Sequence, residues 1–149
     1  MIVAKPKIAS VWLEACAGCH MSFLDIDERI VGLLDRVELT ATPITDIKVF
    51  PEVEVGVIEG ALGNEEELHL AKELRERCKI LIAWGDCAVF GGINCMRNFM
   101  PAEKVLEEGY VNTASTVNPG RVIPRRDLPP LLPQAIPVDR AVKVDVYVP

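Results

Sequence analysis

The chain has 149 residues, half of them apolar, and 22 acidic against 16 basic side chains, a net charge of −6. That is one domain's worth of chain with enough apolar material for a core, which argues against disorder. The acidic balance and the lack of a long Lys/Arg cluster argue against nucleic-acid binding. No apolar run reaches the roughly 18 residues of a membrane span. The opening MIVAKP has neither a charged stretch before an apolar core nor a twin-arginine pair, so the expected location is cytoplasmic, with no membrane.

The first apolar run, 7–13 (KIASVWL), ends in a segment containing Gly18 and predicts a buried strand followed by a loop. Ser22 has the character of an N-cap, and apolar residues at Ile26, Ile30, Leu33, Leu34 and Val37 predict a helix to about Asp35. Residues 37–41 (VELTA) and 53–58 (VEVGVI) predict two further strands, the latter ending at Glu59-Gly60. Asn64 then caps a helix with Glu65, Glu66 and Glu67 at its start and Lys72, Arg75, Arg77 and Lys79 towards its end, the order the macrodipole favours. Its apolar face carries Leu68, Ala71, Leu74 or Leu70, and Cys78.

A fourth strand is predicted at 80–84 (ILIAW), followed by GDCAVFGG at 85–92, and a short helix around 102–108. Seven of the eleven prolines lie between Pro119 and Pro149, so the last thirty residues are expected to be largely extended or irregular. Within them, 142–148 (VKVDVYV) alternates like a strand. Strands alternating with helices predict an α/β fold, a flavodoxin-like doubly wound parallel sheet in three layers, with one domain over 1–149.

Open parallel sheets bind ligands beyond the carboxyl ends of their strands. Cys16 and Cys19 follow the first predicted strand, Glu59-Gly60 the third and Gly85-Asp86-Cys87 the fourth, so three cysteines converge on one rim. An odd five cysteines in a reducing compartment favours metal ligation, redox chemistry or burial over disulfides. Glycines at 18, 60, 85, 91 and 92 let backbone approach a bulky inorganic group and turn N–H donors toward anionic sulfur, which suits an iron-sulfur cluster. A 4Fe-4S cubane takes four thiolates and this rim supplies three. The strand at 142–148 should end on the same rim, so the natural gene is expected to continue, with a cysteine within a few residues after Pro149.

Other readings of single residues stay open. The sequence from Cys16 to His20 also has the form of a c-type haem attachment site, and its Cys-x-x-Cys that of a thioredoxin-like redox pair. Cys87 alone reads equally as a packed thiol, Cys78 as a core residue, and Cys95 as buried, with a role near the cluster as the alternative. His20 is a candidate for a hydrogen bond to cluster sulfur, a partner contact or a local hydrogen bond, whereas His69 sits among charges and reads as solvated. Glu14 and Glu59 each flank a cluster loop and are candidates for hydrogen bonding or proton relay at a subunit boundary, and equally for an ordinary cap or surface carboxylate.

LEACAGCHMSFLD at 13–25, TDIK at 45–48, EG at 59–60, GDCAVFGG at 85–92 and YVN at 110–112 together resemble the small subunit of nickel-iron hydrogenases, in particular its cytoplasmic NAD-reducing (bidirectional) branch, over residues 8–149. The resemblance implies a proximal 4Fe-4S cluster held by Cys16, Cys19 and Cys87, with Gly18, Glu59, Gly60 and Gly85 around it. The fourth ligand would come from a Gly-Cys-Pro-Pro motif beginning just after Val148-Pro149. It further implies an electron-transfer subunit of an oxidoreductase with no catalytic residue of its own. A large subunit would carry the nickel-iron centre and cleave H2, and diaphorase iron-sulfur and flavin subunits would carry FMN and bind NAD. The chain has no nucleophile elbow, phosphate loop or Gly-x-Gly-x-x-Gly, in keeping with that division of labour. Two rivals are the related cluster-bearing subunit of respiratory complex I, whose family has adjacent cysteines where this chain has Cys16-x-x-Cys19, and a flavodoxin-like flavin-binding module.

Overall fold

A computed structural model describes residues 4–45, 47 and 49–149. Residues 1–3 of the N-terminal reading, and Asp46 and Lys48 of the TDIK motif, lie outside them. Strands β1 (Lys7–Trp12), β2 (Glu38–Leu39), β3 (Val53–Glu59), β5 (Cys78–Trp84) and β7 (Val146–Val148) form one sheet in the order β2-β1-β3-β5-β7. All its pairings are parallel, the flavodoxin-like doubly wound arrangement expected. Strands β4 (Leu62–Asn64) and β6 (Leu131–Ile136) make a separate antiparallel pair.

Side chains alternate across a strand, so the register decides what meets on each face. Ser10 pairs with Val57, Trp12 with Glu59, and Glu59 with Trp84, which puts Ser10, Trp12, Glu59 and Trp84 on one face, most of them at carboxyl ends. Helix α1 (Gly18–Leu24) lies over this face, with His20 and Phe23 against Trp84. The opposite face presents Ala9, Ile58, Leu81 and Ala83, all fully buried. Helix α3 (Glu65–Arg77) covers it, and Gly56 lets Leu74 and Cys78 pack against β3, where a Cβ would come within 3.1 Å of Leu74 and 2.8 Å of the Cys78 sulfur. Asn64 caps α3 as expected, its side chain accepting from the Glu67 N–H in a capping box. Among the described residues no helix is long and apolar enough to cross a membrane.

Several expectations are corrected. The first helix starts at Gly18, not after Ser22, whose hydroxyl instead donates back to the Gly18 carbonyl at 2.9 Å inside α1. It is also split in two: Asp27, at φ 52, separates α1 from α2 (Arg29–Leu34). Cys78 is buried, as a core thiol should be, but it begins β5 and is not on the face of α3. The proline-rich stretch contains β6, with Pro133 tolerated in a short two-stranded ribbon. The helix expected around 102–108 is α5 (Ala102–Glu107), preceded by α4 (Asp86–Phe90).

The last strand is shorter than the alternation at 142–148 suggests, because Asp145 diverts it. Its carboxylate accepts from the Leu81 N–H (2.9 Å) and from Arg75 (2.5 Å), while Arg75 also donates to the Cys78 carbonyl (2.7 Å). This clamp fastens the end of α3, β5 and the entry to β7 together. The Leu81 N–H, then Arg75, push the Asp145 carboxyl down to about 2 from its ordinary 3.8. A carboxylate with a depressed folded-state pKa stabilises the fold above its unfolded value, and that contribution fades as the pH falls from 3.8 towards 2. Asp145→Asn is therefore expected to lower the urea midpoint at pH 7 and to flatten the pH dependence of stability between those two values, which a denaturation series from neutral to acid pH will read.

Candidate metal centre

Cys16 lies exposed in the loop after β1, Cys19 half-buried in the first turn of α1, and Cys87 half-buried in α4, directly after β5. The order of β1, β3 and β5 brings these ends side by side. The charged groups of the rim act on one another. Burial raises the Cys19 thiol pKa, and the charges of Glu59, Cys16 and Cys87 raise it further. Burial likewise raises Cys87, opposed by the Ile93 N–H and reinforced by Asp86, Cys16 and Glu59.

The glycines of the rim make room for sulfur. Gly85, at φ +86, occupies the place where a Cβ would collide with the Cys19 sulfur, and a Cβ on Gly92, at φ +50, would stand 2.6 Å from the Cys87 sulfur. The corresponding distance at Gly18 is 3.1 Å from the Cys16 sulfur, and Gly60 fits against the Glu14 carbonyl, 2.9 Å from where a Cβ would be. Among the described residues no three Cys, His, Asp or Glu side chains close on a single metal ion. Three soft thiols spread around a glycine-lined rim fit a cluster of several iron atoms better than one tetrahedral ion.

The fourth member of the rim is Glu59, 2% exposed at the end of β3. Its carboxylate accepts from the Cys19 N–H at 3.1 Å, from the His20 N–H at 2.9 Å, and from His20 Nδ1. It therefore caps α1 from another element; Ala17, in the left-handed region at φ 62, has no side chain to do so. His20 Nε2 meets Ser10 Oγ at 2.9 Å, and the ring packs between Trp12 and Trp84 at centroid distances of 5.6 and 5.7 Å. Of the open readings of His20 this is the local hydrogen bond. With both ring nitrogens engaged, His20 has none left for a haem iron, and the Cys19 and His20 amides, spoken for by a carboxylate, cannot cradle a flavin phosphate.

Glu14 ties the same rim from the other side. Its backbone pairs with Ala61, linking the loops after β1 and β3, and Asn94 donates to its carbonyl. Burial, then the charge of Glu67, raises the Glu14 carboxyl pKa, and Arg97 lowers it. Arg97 in turn donates to the Gly63 carbonyl at 2.8 Å. Cys95 is half-buried, its thiol donating to the Ala135 carbonyl at 3.1 Å, and His69 is exposed. Sequence reasoning missed Ser10, Trp84, Asn94 and Arg97. Strand alternation carries a signal for the first two, whereas nothing local marks the others.

Residues 16–149 match the family described as NADH ubiquinone oxidoreductase, 20 Kd subunit. The chain is 42% identical to the NAD-reducing hydrogenase HoxS subunit delta of Cupriavidus necator, an alignment covering 97% of this chain and 71% of that one. It is 38% identical to a subunit of the F420-non-reducing hydrogenase of Methanothermobacter thermautotrophicus over 97% of its own length, and spans about half (48%) of that longer relative. Among solved structures, an NAD+-reducing [NiFe]-hydrogenase in the H2-reduced state superposes with a TM-score of 0.94 at 36% identity, over 98% of this chain and 82% of that one.

The rim's electrostatics predict its thiol chemistry. In the metal-free protein, iodoacetamide at pH 8 should label the exposed Cys16 ahead of Cys19 and Cys87. Glu59→Gln, which removes one of the charges holding the Cys19 pKa up, should speed Cys19 alkylation several-fold, as followed by mass spectrometry of the modified peptides.

Proposed function

The chain belongs to the 20 Kd NADH ubiquinone oxidoreductase subunit family, together with small subunits of NAD-reducing and related nickel-iron hydrogenases, and from that premise we propose that it conducts electrons within an NAD-reducing hydrogenase through one 4Fe-4S cluster. The observation that carries this reading is that Cys16, Cys19 and Cys87 stand in the loops and helices that follow adjacent parallel strands, along one glycine-lined rim. Cys16, Cys19 and Cys87 would hold the cluster as thiolates, with Gly18, Gly60 and Gly85 leaving space for it and Glu59 fixing the loop beneath. A bound cluster of this kind supplies one-electron transfer, with a potential set by hydrogen bonds to sulfur, local charge and solvent access.

The fourth thiolate would lie near the end of β7, where Gly85 N–H donates to the Val148 carbonyl at 2.7 Å and holds that end against the Cys87 loop. The surroundings also favour a partner that excludes water. Phe90 (67% exposed) ends the helix that bears Cys87, and Ile93 (73%), whose N–H lowers the Cys87 pKa, follows it. Apolar side chains displayed beside half-buried ligands mark a surface to be covered. The large subunit bearing the nickel-iron centre would cover it, and diaphorase subunits carrying FMN would pass electrons to NAD, in the cytoplasm. Within the matched family, the Cys16-x-x-Cys19 spacing and the identity to the HoxS delta subunit favour the hydrogenase over the complex I reading.

Iron and acid-labile sulfide assays on the full-length protein in its complex, with absorption and electron paramagnetic resonance spectra, test the cluster directly. Cys16→Ala and Cys87→Ala are each expected to abolish H2-dependent NAD reduction while dye reduction by NADH in the diaphorase continues. H2-linked activity surviving in either variant contradicts the reading.

A further inference from the structure

We propose that Glu59, braced by His20 and Ser10, is a positioning residue that withholds the Cys19 and His20 amides from the cluster and so keeps its midpoint potential low. The inference rests on the cluster reading above and concerns only this chain's own residues.

Three buried side chains from three elements form one line. Ser10 of β1 is 8% exposed, His20 of α1 3% and Glu59 of β3 2%. His20 contacts Ser10 through Nε2 and Glu59 through Nδ1, leaving no ring nitrogen free. A carboxylate has no proton to give, so Nδ1 is the donor to Glu59 and the imidazole orientation is fixed by the acceptor. Trp12 and Trp84 hold the ring from both sides. The two amides that Glu59 takes, at 3.1 and 2.9 Å, belong to a cysteine of the rim and to its neighbour.

Two effects of that arrangement have the same sign. An N–H aimed at cluster sulfur stabilises the added electron and raises the potential, so an amide held by a carboxylate cannot make that contribution. A negative charge buried near the sulfurs disfavours the added electron, because a low-dielectric site screens it poorly. A cap alone could come from a neutral side chain without the desolvation cost of a buried carboxylate, whereas Glu59 presents two acceptor oxygens, one to the Cys19 N–H and the other to the His20 N–H and Nδ1.

The test uses the assembled complex, with redox titration of the cluster followed by electron paramagnetic resonance, and the cluster-free chain, with amide hydrogen exchange. Glu59→Gln removes the charge and His20→Phe removes the brace while keeping an aromatic ring between the tryptophans. Both are expected to shift the midpoint potential upward, and Ser10→Ala to do so by less. His20→Phe should also speed exchange at the amides of residues 19 and 20 without any cluster present. Ser10→Ala leaves the carboxylate and every thiol in place and reads the effect if Glu59→Gln does not fold. A wild-type complex devoid of iron and sulfide overturns the cluster reading and this inference with it. A wild-type cluster whose potential is unmoved by Glu59→Gln, or by Ser10→Ala where that variant stands in, overturns this inference alone.

Discussion

The carboxylate of Glu59 leaves the end of β3 and enters the N-terminus of α1, where it binds two backbone amides and a histidine ring. Through His20 it also reaches Ser10 on β1. Loss of one partner from a buried charged network costs roughly 3–5 kcal/mol, because the remaining charge is left without compensation. The rim therefore depends on this contact more than on any packing contact of α1, whose one buried residue is His20 itself.

The same contact explains why the chain turns so abruptly after β1. Ala17 sits in the left-handed region at φ 62, a placement that costs a non-glycine residue about 1–2 kcal/mol. It is sustained because α1 must begin at Gly18 if its first amides are to meet Glu59. An earlier or later start would rotate Cys19 away from Gly85, the one position where the missing Cβ leaves space for its sulfur. Cap, strained residue and glycine thus form one specification, written in three separate parts of the sequence.

The sheet and its rim were legible in the sequence because parallel strands are apolar runs and their carboxyl ends are where ligands gather. Residues 7–13, 53–58 and 80–84 announce β1, β3 and β5 in this way, and Asn64 with Glu67 announces α3 through local chemistry alone. The start of α1 was not legible. Ser22 is a good cap by type, but the real cap lies 39 to 40 residues away on another strand. Such long-range satisfaction leaves no local trace. The same holds for Asp145, which reads as the polar position of an alternating strand and is in fact tied across 64 residues to Leu81 and across 70 to Arg75. Strand β4, three residues long, is defined by its pairing with β6 and has no pattern of its own.

The electrostatic character of the rim bears on how the site is completed. Burial and neighbouring charges raise the pKa of both Cys19 and Cys87, and the carboxylates of Glu59 and Asp86 reinforce this. The folded chain alone therefore disfavours the thiolate form of Cys19 and Cys87. On the cluster reading proposed above, the positive charge of iron would offset that field, and binding it would release protons and stabilise the folded rim together. A thiol whose pKa is raised also oxidises more slowly, since the thiolate is the reactive form. Charges that disfavour thiolates at Cys19 and Cys87 would thus slow oxidation of these sulfurs before assembly and, on the cluster reading proposed above, would tune how readily a bound cluster accepts an electron.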